Sequence, residues 1–218
     1  MSKIPGTSWI LSIALVVGLA CTGMAPAIGA DYSSKALVYK WWDAYTVVGQ
    51  SMLHRSDNGL KATFKINADQ TDADRVFTLW FIIFNSPEGC ATSPCTADDV
   101  FNPDADADFL YGGGTVTTQN KVEFGGSVAA YDTSGSGMIE IGSPELALGL
   151  IDPHNAEVHL AIHSHGPGGS GTYLKEQISS FLGGCLVFLG PGGLATGPED
   201  VPDEEGECST IMFSVHQP

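Results

Sequence analysis

The sequence predicts an all-β fold, an antiparallel β-sandwich or partly closed barrel with one short amphipathic helix near residues 172–182. Three observations carry this. Most segments after residue 30 alternate apolar and polar side chains with period two, Gly- and Pro-rich turns separate them, and a single stretch has helical spacing. Residues 31–45, with Trp41 and Trp42, read as an edge strand whose tryptophans pack rather than bind. In "LKATFKINA", Leu60, Ala62, Phe64 and Ile66 share one face and Lys61, Thr63, Lys65 and Asn67 the other. "VFTLWFIIFN" (Val76–Asn85) is continuously apolar and rich in β-branched and aromatic residues, as a central strand buried on both faces would be.

Further along, "KVEFGGSVAAY" is expected to pair with "YGGGTVT" through the turn "TQNK". Glycines 112–114 and 125–126 interrupt these strands and mark bends where a sheet curls. "GMIEIG" reads as a short strand, and "STIMFSVHQ" as the last one. In "TYLKEQISSFLGG", Leu174, Ile178, Phe181 and Leu182 recur at helical spacing, with Thr172 as N-cap and Gly183-Gly184 as the stop. Residues 190–207 have the composition of a flexible acidic loop.

The first 30 residues have one charge, Lys3, then an apolar run from Trp9 to Cys21 and small residues ending at Ala30. That order is a secretory signal peptide (1–30), which implies a secreted, periplasmic or extracellular protein and leaves 31–218 as one domain. Elsewhere no segment is long and apolar enough to span a membrane. With 9 basic and 25 acidic residues, the chain has too few cations to bind nucleic acid by phosphate neutralisation. Of the five cysteines, Cys21 falls in the signal segment. The even remainder in an exported chain reads as disulfides, with Cys90–Cys95 and Cys185–Cys208 the favoured pairing of three.

Candidate chemistry concentrates in "EVHLAIHSHG" (157–166). As a helix it would put His159 and His163 one turn apart, but strict alternation favours a strand entered through the Asp152–Asn155 turn. Val158, Leu160 and Ile162 then face the core, while Glu157, His159, Ala161, His163 and His165 face the other way. Residues two apart on one face lie ~6–7 Å apart, so His163 and His165 form a metal-capable pair. His159 lies ~13 Å from His163 and drops out. Copper or zinc would want a third donor, for which His216 is the best placed. Asp104, Asp106 and Asp108 alternate like the start of a calcium loop. They lack the glycine and terminal glutamate of an EF-hand, which leaves an irregular calcium loop as the alternative to a solvated one. No nucleophile elbow or phosphate-binding loop is present, and no catalytic residue stands out.

Together, "FTLWFIIFNSPEGC", "AEVHLAIHSHGP" and "EQISSFLGGC" resemble a group of uncharacterised secreted bacterial proteins. That resemblance covers roughly residues 50–185 and implies no activity. "HSHGPGG" (163–169) is similar to the His-x-His-Gly-Pro segment of CHRD domains and to the His-x-His strand of copper/zinc superoxide dismutases. It implies a sandwich-type fold and a metal, but not dismutase activity, because the remaining dismutase ligands have no counterpart. The expected function is a non-enzymatic exported protein binding copper or zinc through His163 and His165. Two alternatives stand beside it: a metal-free structural or adhesive protein with a cell-surface or matrix partner, and a small secreted metalloenzyme.

Overall fold

The alternation in the sequence becomes strand pairing in a computed structural model, which describes residues 30–41, 43, 46–66, 75–117, 122–183 and 209–218. Eight strands follow one another: β1 (Tyr32–Lys40), β2 (Val47–Ser56), β3 (Gly59–Ile66), β4 (Arg75–Phe84), β5 (Ala107–Val116), β6 (Val122–Ala129), β7 (Glu157–Pro167) and β8 (Ser209–His216). They form one sheet in the order β5-β4-β7-β8-β1-β2-β3-β6, with every neighbouring pair antiparallel. The fold is therefore the barrel form of the all-β expectation rather than two stacked sheets.

Closure depends on glycine. The hairpin expected between β5 and β6 does not form. Instead β5 pairs with β4 and β6 with β3, which makes β5 and β6 the two ends of the sheet order. The sheet curls until these ends meet backbone to backbone. A Cβ at Gly126 would lie 2.2 Å from the Gly112 carbonyl oxygen, and one at Gly113 would lie 3.1 Å from that of Gly125. Only residues without side chains allow that approach. The "TQNK" turn lies outside the described residues.

The barrel interior is filled. Leu60, Ala62, Phe64 and Ile66 of β3 point inward, as their alternation requires, and meet Phe77, Leu79, Phe81 and Ile83 of β4 and Val158, Leu160 and Ile162 of β7. Burying side chains of this size contributes roughly 1.5–3 kcal/mol each. The outward residues Trp80 and Phe84 are equally buried, so β4 has two dry faces, as its unbroken apolar run implies. Over them lies a second layer, made of the loop 85–106, the short helix α1 (Gly137–Glu140) and the segment from helix α2 (Gly171–Gln177) to Phe181. Trp80 packs against Phe109, Tyr111 and Phe181 at ring separations of 5.6, 5.6 and 5.1 Å. The 85–106 loop is stapled by a Cys90–Cys95 disulfide. Asp99 organises it further by accepting hydrogen bonds from the Ala91 and Thr96 N–H groups and the Thr96 hydroxyl.

Several local expectations change. "GMIEIG" is not a strand. Ser136 caps residues 137–140 as a helical turn by accepting from the Met138 N–H, and Met138 is buried in the outer layer. Helix α2 is shorter than expected, starting after Ser170 and ending at Gln177. The Ser179 and Ser180 hydroxyls bond the Lys175 and Glu176 carbonyls, and the Glu140 carboxylate takes the Phe181 and Leu182 N–H groups, which directs the chain out of the helix. Strand β1 is internal rather than an edge, lying between β8 and β2. Residues 1–29, Trp42, Cys185, Cys208 and the 190–207 loop lie outside the described residues, and with them the expected signal peptide and the expected Cys185–Cys208 disulfide. The chain leaves the described fold at Gly183, whose carbonyl meets His165, and re-enters at Ser209, paired with Ser164. Among the described residues no helix is long and apolar enough to cross a membrane.

One buried cation ties the C-terminal strand into the barrel. Arg55 is fully buried, and its guanidinium donates to the carbonyls of Pro153 (2.7 Å), Ala156 (2.8 Å), His216 (3.1 Å) and Gln217 (3.4 Å). It thereby fixes both the turn before β7 and the end of β8.

The glycine seam makes a direct test. Gly126→Val is expected to destabilise the fold by about 3 kcal/mol, because backbone rather than a movable side chain opposes the new Cβ. Gly135→Ala, whose Cβ would find 3.4 Å to its nearest neighbour, is the control and should change little. Equal urea midpoints for the two variants would show that the seam does not close the barrel.

Candidate functional site

Strand β7 runs between β4 and β8, and its register determines where each histidine points. Ala161 sits opposite Trp80 and His163 opposite Thr78, so the row Glu157, His159, Ala161, His163, His165 faces the outer layer. The sequence divides the faces correctly, but the outer face is not solvated. Glu157, His163 and His165 are 2%, 2% and 1% exposed. The cover comes from loop 85–106 on one side and the α2–Phe181 segment on the other.

The structure brings His163 and His165 together, with ring centroids 4.8 Å apart and planes at 68°. His165 is fully engaged. Its Nδ1 lies 2.6 Å from the Gly183 carbonyl, which can only accept, so Nδ1 carries the proton. Its Nε2 therefore accepts from the Thr78 hydroxyl at 2.8 Å, and Thr78 Oγ1 accepts from the Trp80 indole N–H at 2.8 Å. This directed chain, Trp80 to Thr78 to His165 to Gly183, fixes the neutral tautomer. His163 is the opposite case. It lies 4.6 Å from Phe181 ring to ring, and neither Nδ1 nor Nε2 has a hydrogen-bond partner among the described residues. Leaving a buried polar group unpaired costs about 1–3 kcal/mol.

Burial sets the protonation of both rings. It pushes His163 well below its ordinary value, with neighbouring His165 adding to the shift. Burial also lowers His165 to about 4, partly opposed by the bond to the Gly183 carbonyl. Both imidazoles are neutral at pH 7, which is the form that can ligate a metal.

His216 does not join them. Its partner across the β7–β8 ladder is Val158, an inward residue, so His216 points into the barrel. There its Nδ1 is 2.8 Å from Ser34 Oγ and its Nε2 2.9 Å from Ser51 Oγ, and Ser51 donates on to Ser214. Burial, Arg55 and His159 lower it to about 4. The metal set His163, His165 and His216 is thus divided between two faces of one sheet, a consequence of strand register. His159 stays apart from the pair, bonded through Nε2 to Glu157 at 2.7 Å.

The three aspartates of the candidate calcium loop are not gathered either. Asp108 is fully buried, and its oxygens accept from the Ser136 hydroxyl and the Phe109 and Gly149 N–H groups. Burial raises its pKa while those bonds oppose the rise. Asp106 accepts from Ser86, and Asp104 is exposed. Among the described residues no group of three or more His, Cys, Asp or Glu side chains could hold a metal. No family model, curated protein or solved structure matches this chain.

The sequence did not single out Thr78, Trp80, Phe181 or Gly183 as the surroundings of the pair. The one available signal was Thr78, a polar residue in the otherwise apolar run of β4.

Two outcomes follow. In metal-free protein, His163→Leu is expected to raise stability by about 1–2 kcal/mol, because it removes two unpaired nitrogens at similar volume. A loss of stability at pH 7 would mean that those nitrogens have partners. The second concerns pH. Native His163, His165 and His216 resist protons that the unfolded chain accepts below about pH 6.5. Stability is therefore full above that value and falls as pH drops toward about 4, by about 1.4 kcal/mol per pH unit for each histidine. Urea titrations across this window should show a shallower pH slope for His163→Leu than for the wild type. Identical slopes would remove His163 from the effect.

Proposed function

We propose that this protein is a non-enzymatic, exported binder of one cuprous ion, held between His163 and His165 in the outer layer. The observation that carries the reading is His163, wholly buried with both nitrogens unpartnered among the described residues, beside a second neutral imidazole. A residue that lowers stability without a structural return is what a binding site leaves behind in the ligand-free protein. The described residues bring two nitrogens to this place, and zinc prefers four ligands or three with a water. Cuprous ion is satisfied by two neutral nitrogens in dry surroundings, so donor number favours it over zinc. Binding requires the Thr78 hydroxyl to release His165 Nε2. The signal-like segment 1–30 supports export, and the burial of both rings, 2% and 1% exposed, supports holding a small ion rather than turning over a substrate.

Titration with Cu(I), kept reduced by ascorbate and competed against bicinchoninate, tests this reading. Wild type and His54→Ala should each take up one equivalent, and His163→Leu none. Failure of the wild type to compete, or the same uptake by His163→Leu, would overturn the site.

A further inference from the structure

A second feature of the outer face is independent of the copper reading. Where β4, β7 and β8 lie side by side, a groove of about 280 Å³ opens beside the disulfide-stapled loop. Its walls include Ile82, Phe84, Phe213, Val215 and Trp41, and loop residues 94–97 form one rim. His159 supplies its titratable group. We infer that this groove is a binding site for a small neutral phenol, whose hydroxyl donates to His159 Nδ1.

The groove is held in shape from several directions. Trp41 packs edge-on against Phe213 with ring centroids 5.6 Å apart, and Phe84 packs edge-on against His159 at 5.1 Å. Glu157 Oε1 takes both the His159 Nε2 proton and the Cys95 N–H, each at 2.7 Å. One buried carboxylate oxygen therefore joins the imidazole on β7 to the loop that makes the rim. The Cys90–Cys95 disulfide holds that rim in turn.

The same bonds define the chemistry offered. Burial alone would raise the Glu157 carboxyl, but the bonds from His159 and Cys95 outweigh it and hold it below the ordinary value. An ionised carboxylate only accepts, so His159 Nε2 carries a proton, and in the neutral ring Nδ1 then presents a lone pair. His159 Nδ1 has no hydrogen-bond partner among the described residues. The groove thus presents aromatic and aliphatic walls with one acceptor. Its volume, just below the range for drug-sized ligands, suits a single substituted ring. Aromatic walls favour an aromatic ring, and the lone acceptor selects a donor. A charged ligand would lose its hydration for one hydrogen bond, and an anion would also meet Glu157 and a chain of formal charge −16. A neutral phenol satisfies all of these conditions.

The test uses the full metal-free chain with 15N-labelled histidine and tryptophan, titrated with p-cresol and with toluene. The expected result is saturable p-cresol binding that shifts the His159 ring and Trp41 indole signals, with toluene about tenfold weaker for want of the hydroxyl. Val215→Trp, which fills the groove, should abolish both. His159→Phe keeps an aromatic wall but has no acceptor, and Glu157 retains the Cys95 N–H, so this variant should bind p-cresol and toluene alike. No p-cresol binding, equal wild-type affinities for the two ligands, or binding that survives Val215→Trp would each overturn the proposal.

Discussion

Strands β4 and β7 must be dry on both faces, and the rest of the molecule is arranged around that requirement. Curling the sheet dries the inner face, because the far strands of the barrel supply its partners. The outer face needs a separate cover, and loop 85–106, α1 and the α2–Phe181 segment provide it around Trp80. Water is then unavailable to the buried Glu157, His163 and His165 on the outer row of β7, so each must find a partner in the protein. Glu157 and His165 do so with short bonds to backbone groups and to neighbouring side chains. His163, on the same row under the same cover, finds none among the described residues.

Closing the barrel solves the edge problem of an open sheet, since an unpaired strand edge invites other chains. Here the two ends of the sheet meet through glycines instead of a hydrogen-bonded ladder. The strand between β7 and β1 comes from the far end of the chain, so the barrel is completed by contacts very distant in sequence. Arg55 reinforces that join from inside. It gathers carbonyls from the turn before β7 and from the C-terminal end of β8, where the low-dielectric interior strengthens each bond. Beside it, Ser34, Ser51, Ser214 and His216 form a network in which both nitrogens of His216 are bonded.

The two buried histidine environments show how chemistry and stability separate. His216 and His165 each have both nitrogens occupied and act as structural polar groups. Among the described residues His163 and His159 keep ring nitrogens without partners, one in a sealed layer and one facing a groove. An unfilled lone pair in a dry place is a standing preference for a ligand. The sealed position, next to another imidazole, suits a metal ion. The groove position, with a single acceptor among apolar walls, suits a neutral donor.

Much of this was legible in the sequence through side-chain period alone. The all-β class, the inward row of β3, the two-faced burial of β4, the strand at 157–166 and the separation of His159 from the His163–His165 pair all follow from alternation and the rise per residue, which are local properties. The Cys90–Cys95 link was legible for the same reason, since its partners are five residues apart. Tertiary structure decided everything that depends on register between distant strands. Pairing Val158 with His216 puts that histidine inside the barrel, and pairing β5 and β6 with other strands turns an expected hairpin into a seam. Period two says which residues share a face, but not what lies over that face. The polar row of β7 reads as solvated until loops far along the chain cover it, and this cover, invisible in any one segment, is what makes His163 a candidate ligand.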